Sequence, residues 1–363
     1  MTQPAAFMRP SPTTIRLLPK ADLHSHIDGS VEAKELFRIA RHHRRRMLTP
    51  KGAELESVSA FTRYIEGGEY GSMLDNIVDR FYPITNLMQT EGTIRDVGIS
   101  YVETQKREGV AYAEGRFAPQ YHTREGLSMK DVIVSMAEGL SEGAERYGVE
   151  TTLIVGVGRE ASPGLGVEVA KAATRGGLVA ALDLCGPEAG NPPLKFREAF
   201  RIATDSGLKV TVHAGEGAGS MNQNLRNMED AITQLRANRL GHAIALARSK
   251  PLLKLVLQTS VAIEMNPVSN LVLRKIGDLK ELAIDQLLAR GVSVSVNSDD
   301  PAIWPGGHLS DVFSRVCGAY GLGFDFLDRL VQNSFDGSFA PERDKERLRQ
   351  LYREARRQIE FNS

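Results

Sequence analysis

At 363 residues the chain exceeds one domain of ordinary size; roughly 150 residues per domain would give about two units, but α/β barrels of this length fold as one. Its 45 basic side chains match its 45 acidic ones, which leaves no long-range field to draw it to nucleic acid or an anionic membrane and favours a small neutral ligand. Two cysteines, Cys185 and Cys317, are too few for a disulfide framework or a thiolate-rich metal site, so any metal has to rest on nitrogen and oxygen.

With 42% hydrophobic and 25% charged residues the chain can bury a sizeable core. No continuous apolar run occurs in MTQPAAFMRPSPTTIRLLPK, and none elsewhere reaches the roughly 18 residues of a membrane helix. The expectation is a soluble, cytoplasmic protein. Short apolar, β-branched runs recur at 21–24 (ADLH), 110–117 (VAYAEGRF), 151–157 (TTLIVGV), 178–184 (LVAALDL), 208–213 (LKVTVH), 239–242 (RLGH), 261–265 (VAIEM) and 292–297 (VSVSVN). Most are nearly continuous in apolar residues, as parallel strands covered on both faces are.

Helix-length stretches separate them, such as 130–147, where Val132, Ile133, Met136, Leu140 and Ala144 share one stripe. Gly148, Gly207 and Gly291 follow such stretches at C-cap positions. Strands alternating with helical crossovers predict an α/β fold, a (β/α)8 TIM barrel, as one domain over 1–363. The rival is an open doubly wound sheet, but no GxGxxG follows the first strand. The gap of about 85 residues between the first two runs is too long for one crossover. It is read as extra helices at 31–45, 74–89 and 94–108, with the GGEYGS turn at 67–72 in a lid over the barrel mouth. The C-terminal DKERLRQLYREARRQIE reads as a charged closing helix.

Catalytic residues of such a barrel come from the C-terminal ends of the strands. Here those ends are polar: HSH brings His24 and His26 to one face of the first strand, the fifth ends in His213 before Glu216, the sixth in His242, and the eighth runs into Asp299 and Asp300. Three imidazoles and a carboxylate around an open position make a catalytic zinc site, which brings water's pKa down to about 7. The fourth run, LVAALDLCG, has no lysine to bridge a second ion, so one ion is expected. Zinc is favoured, although such a donor set also takes cobalt, iron or manganese. His42 and His43 in RHHRRR (41–46) read as the solvated end of a helix, and His122 and His308 as surface residues. GEGAG (215–219) lacks a Walker lysine and reads as flexible backbone around Glu216.

LPKADLHSHIDGS (18–30), VTVHAGE (210–216), RLGHA (239–243) and SVNSDDPAIW (295–304), in this order, resemble the adenosine deaminase family of metal-dependent amidohydrolases over nearly the whole chain. The resemblance implies one zinc ion on His24, His26, His213 and Asp299. It implies Glu216 as proton donor to purine N1, His242 as the residue that orients or deprotonates the attacking water, and Asp300 as the partner of N7. It places Asp28 on the ribose hydroxyl, the Gly186 backbone on N3 and His26 against the nucleoside. Hydrolytic deamination needs this set: a hydroxide to attack C6, a proton for the ring nitrogen, and a charge to hold the developing oxyanion. Either His242 or Asp299 is placed to act as base. The cytidine-type signature H-x-E with P-C-x-x-C is absent.

Two segments depart from the family pattern. A cysteine commonly precedes the proline of the seventh-strand motif, where this chain reads EMNPVSN with Asn266, and a phenylalanine-rich lid is replaced by GGEYGS and SMLDNIVDRF (72–81). The function expected is deamination of a 6-aminopurine nucleoside, adenosine or deoxyadenosine, in purine salvage, with a small-molecule substrate and no nucleic-acid or membrane partner. A deaminase of adenine, of a modified aminopurine nucleoside or of an adenosine monophosphate derivative is the alternative. A non-catalytic nucleoside-binding barrel belongs to a different class, and would have no need of Glu216.

Overall fold

The computed structural model describes residues 10–66, 77–217 and 219–361; the expected lid turn at 67–72 lies outside the described residues. Its centre is a sheet of parallel strands in sequence order: β1 (Lys20–His26), β2 (Val110–Phe117), β3 (Glu150–Gly158), β4 (Ala181–Cys185), β5 (Lys209–Ala214), β6 (Arg239–His242), β7 (Ala262–Met265) and β8 (Val294–Val296). Strand residues such as Val155, Leu182, Val212, Leu240, Ile263 and Val294 are fully buried, because helices on the outer face and side chains inside the ring cover both surfaces.

The first and last strands meet through the site itself. Ser25 bridges Asp299 in parallel, the Asp299 amide donates to His24 O at 2.9 Å and the His26 amide to Asp299 O at 2.8 Å. Asn297 Oδ1 accepts from the Leu23 amide at 3.0 Å. This seam completes a nearly closed (β/α)8 barrel. Asp299 makes it with a φ of 63°, a left-handed conformation that aspartate tolerates better than most residues.

Three expectations about elements change. The run at 178–184 begins to pair at Ala181, since Gly176 and Gly177, at φ of 84° and 67°, turn the chain just before it. The run at 292–297 shortens to Val294–Val296, because the Asn297 side chain serves the neighbouring strand. Between β1 and β2 the helices Ala33–His42, Ile77–Leu87 and Glu91–Arg107 lie where helices were expected, but two are additional, Pro12–Leu17 ahead of β1 and Val58–Glu66 within the crossover. The first of these sits beneath the barrel, where the buried Lys20 Nζ donates to Ile15 O at 2.8 Å and Leu18 O at 2.9 Å. Among the described residues no helix is long and apolar enough to cross a membrane.

Candidate active site

His24 and His26 project from the C-terminal half of β1 with one residue between them, so strand alternation places both rings on the inner face. His213 on β5 and Asp299 after β8 complete a group whose donor atoms all lie within 4.8 Å of one another. His213 Nε2 is 3.1 Å from His24 Nε2 and 3.2 Å from His26 Nε2; Asp299 Oδ1 is 3.6 Å from the first ring and 3.5 Å from the second.

What stands behind these rings decides what they can hold. His24 Nδ1 is 2.7 Å from Glu264 Oε2, and His213 Nδ1 is 3.1 Å from Asp183 Oδ1. A carboxylate only accepts, so both Nδ1 atoms carry hydrogen and both Nε2 lone pairs face inward. Lone pairs 3.1 Å apart repel, so a proton or a cation has to lie between them. Burial with Arg116 holds His24 well below the ordinary imidazole pKa, and burial with His213 does the same for His26. Burial lowers His213 too, but Asp183 outweighs it and raises that ring above its ordinary value, so a cation among the three would take the place of its proton. Imidazole nitrogens beside a carboxylate are the donor set of a divalent metal, and these four residues fit one.

The carboxylates are fixed in turn by buried arginines. Arg116 reaches Asp183 and Glu264, each at 3.0 Å, and Arg239 reaches Glu264 at 2.5 Å and also pairs with Glu114. Thr211 Oγ1 donates to Glu264 Oε1 at 2.9 Å. Burial opposes charge on Asp183, yet His213 and Arg116 hold its carboxyl far below the usual range. Sequence reading missed Arg116, Asp183 and Glu264; the available signal was the charge inside apolar runs, two in VAYAEGRF and one each in LVAALDL and VAIEM.

Glu216 sits on a loop that is anchored, which corrects the expectation of flexible backbone there. Glu188, 5% exposed, accepts from the amides of Gly215 at 3.0 Å, Glu216 at 2.9 Å and Gly217 at 3.0 Å. It also accepts from Asn227 Nδ2 at 2.8 Å. Glu216 Oε2 is thereby held 3.9 Å from His242 Nε2, which is itself 4.0 Å from Asp299 Oδ2. Burial raises the Glu216 pKa, but His242 and His213 outweigh it and leave the carboxyl below its ordinary value.

Asp28 and Asp300 lie on the same rim. Burial lifts Asp28 to about 6, and burial with Asp299 and Asp28 lifts Asp300 well above the carboxylate range. Asp300 Oδ1 is buried without a hydrogen-bond partner among the described residues. It packs so closely over Gly29 that a Cβ there would lie 1.8 Å away. Gly186 follows β4 with a φ of 90°, open only to glycine at little cost.

The remaining histidines have other work. His122 is fully buried, donating from Nδ1 to Met88 O at 3.1 Å, so its reading as a surface residue fails; a loop placement says nothing about what packs over the loop. His308, also expected at the surface, is half-buried and pairs with Glu32 at 2.9 Å. His43 bonds Asp96 at 2.9 Å, tying two outer helices, while His42 is exposed as expected.

The family model for adenosine deaminase matches residues 19–355. An adenine deaminase of Chlorobium luteolum is 31% identical over 328 residues, covering 90% of this chain and 92% of that protein. An adenosine deaminase of Clostridium acetobutylicum is 30% identical over 335 residues, covering 91% and 96%. The crystal structure of an adenine deaminase from Arthrobacter aurescens superposes with a TM-score of 0.82 at 28% identity, covering 93% of this chain and 98% of that one. The match in sequence and fold agrees with the chemistry of the strand ends, and the chain belongs to the adenosine deaminase family of metal-dependent deaminases.

Proposed function

We propose that the chain hydrolytically deaminates a 6-aminopurine nucleoside, adenosine or 2′-deoxyadenosine, to the 6-oxo nucleoside and ammonia. The observation that carries this reading is the line of three groups on one rim: Glu216, His242 at 3.9 Å and Asp299 at a further 4.0 Å, beside the imidazole cluster. A zinc or similar divalent ion on His24, His26, His213 and Asp299 supplies Lewis acidity and brings water's pKa near neutrality.

The chain's own residues do the rest. His242 Nε2 takes the proton of the attacking water, and Glu216 delivers one to ring N1 as C6 becomes tetrahedral. Glu216 donates only if it is protonated in the complex, which a dry pocket beside the ring nitrogen favours. Asp300, whose Oδ1 lacks a partner among the described residues, meets N7; the Gly186 backbone meets N3; His26 lies against the nucleoside. Asp28, the buried carboxyl beside the rim, meets a sugar hydroxyl, which supports a nucleoside over a free base.

The test is kcat/KM for adenosine, 2′-deoxyadenosine, adenine and adenosine monophosphate on one metal-analysed preparation. The reading expects a nucleoside to lead, with Asp28→Asn lowering its kcat/KM while leaving adenine unchanged. Adenine turned over faster than either nucleoside would replace it.

A further inference from the structure

His242 ends β6 with a φ of 66° and 1% of its surface exposed, and its ring is clamped by two carboxamides from the segment after β7. Asn270 Nδ2 is 2.8 Å from His242 Nδ1, and Asn266 Nδ2 is 3.2 Å from His242 Nε2. Asn266 Oδ1 and Asn270 Oδ1 are both buried without a partner among the described residues. A neutral imidazole carries one N–H and one lone pair. It therefore accepts from one amide nitrogen only, and on its other side it has to donate to an oxygen.

A carboxamide exchanges nitrogen and oxygen by half a turn about its last torsion, so one of the two is turned. The distances say which. A contact of 2.8 Å suits N–H donating to oxygen, whereas 3.2 Å suits the longer contact of an amide N–H with a ring nitrogen. With Asn270 turned, its Oδ1 accepts from Nδ1–H and one orphaned oxygen is satisfied. Asn266 then donates to the Nε2 lone pair, on the side where Glu216 Oε2 lies at 3.9 Å and Asp299 Oδ2 at 4.0 Å.

We infer that Asn270 is a positioning residue that fixes His242 as its Nδ1–H tautomer, and that Asn266 holds the Nε2 lone pair only until the O–H of the reacting water replaces its amide. The inference rests on the reading of His242 as the group that takes the water's proton. In that step the water O–H bond breaks and an Nε2–H bond forms, which is open only to a ring whose Nε2 carries no hydrogen and whose lone pair Asn266 has yielded to the water. Asn266 stands where the family commonly carries cysteine, so in this chain a carboxamide partners the reactive nitrogen.

The test is the long-range proton–nitrogen spectrum of the full-length, metal-loaded protein labelled with 15N-histidine, His242 being identified by its loss in His242→Gln. Expected is a protonated, pyrrole-type Nδ1 and a bare, pyridine-type Nε2; the reverse pattern overturns the inference. Asn270→Ala should shift both nitrogens toward averaged values and lower kcat about 10-fold or more, with KM and metal content near wild type. Asn270→Asp, which keeps an acceptor at Nδ1, should restore the wild-type pattern. An unchanged pattern in Asn270→Ala, or a reversed one in Asn270→Asp, counts against it. Full turnover by His242→Gln would instead remove the catalytic reading while the spectrum still decides the tautomer.

Discussion

Glu188 touches none of the four metal-site residues, yet its removal should be felt at the chemistry. Its Oε1 accepts from Gly215 N at 3.0 Å and Asn227 Nδ2 at 2.8 Å, and its Oε2 from Glu216 N at 2.9 Å and Gly217 N at 3.0 Å. Glutamine keeps the shape but has one acceptor oxygen, so whichever way its amide turns, an NH2 meets two donors and two bonds are lost. A hydrogen bond to a charged group contributes about 1.5 to 3 kcal/mol; two at the lower end come to about 3 kcal/mol. If that cost falls on the loop arrangement that holds Glu216, kcat/KM drops by about 10²-fold. Steady-state ammonia release and elemental analysis on Glu188→Gln measure both halves. The expectation is the full drop at unchanged metal content. Activity within about threefold of wild type would refute the reasoning, and parallel loss of metal would mean that Glu188 supports β5 instead of the loop.

Glu216→Gln should retain metal and bind the nucleoside with near-normal affinity while losing most turnover, about 10²-fold or more, in a rapid-mixing assay; a near-normal rate would remove its role as proton donor. Glu264→Gln sets an amide against His24 and two arginines, so metal affinity should fall about 10- to 100-fold in a chelator competition. Stability should also fall by about 3 to 5 kcal/mol in a denaturant titration. Burial pulls His122 from the ordinary 6.5 to about 4. The unfolded chain therefore binds that proton first as pH falls: the neutral side chain's contribution is fully present above pH 6.5 and is lost toward pH 4, by about 3 kcal/mol. Melting curves of wild type and His122→Phe should converge between those values, and parallel curves would show that His122 is protonated equally in both states.

The parts of the molecule visible in sequence are those with a period or a motif. Nearly continuous apolar runs mark parallel strands because both of their faces are covered, and polar residues at run ends mark the rim where the imidazoles gather. His24, His26, His213 and Asp299 converge as their motifs implied. Glu188 and Asn270 were invisible because their significance lies in partners 27 to 39 and 28 residues away, and nothing in PEAG or VSN marks a loop anchor or an imidazole clamp. Arg116, Asp183 and Glu264 left a trace, a charge inside an otherwise apolar strand, with Glu114 beside Arg116 in the same run; a buried charge has to be paired. His122 shows the opposite failure: a turn-rich stretch reads as surface, but the Phe117 ring lies 5.6 Å from it and Met88 O accepts a hydrogen bond from its Nδ1–H.

On the proposed function, one divalent ion held by His24, His26, His213 and Asp299 makes this chain a hydrolase of an aminopurine nucleoside. The most direct measurement is to strip the protein with a chelator, add zinc in fractions of an equivalent, and follow ammonia and inosine formed from adenosine at each step. Expected are no turnover without metal, a linear rise, and a break at one equivalent, with His24→Ala failing to recover at that stoichiometry. Full activity in the stripped protein, or no product at any zinc loading, would contradict it.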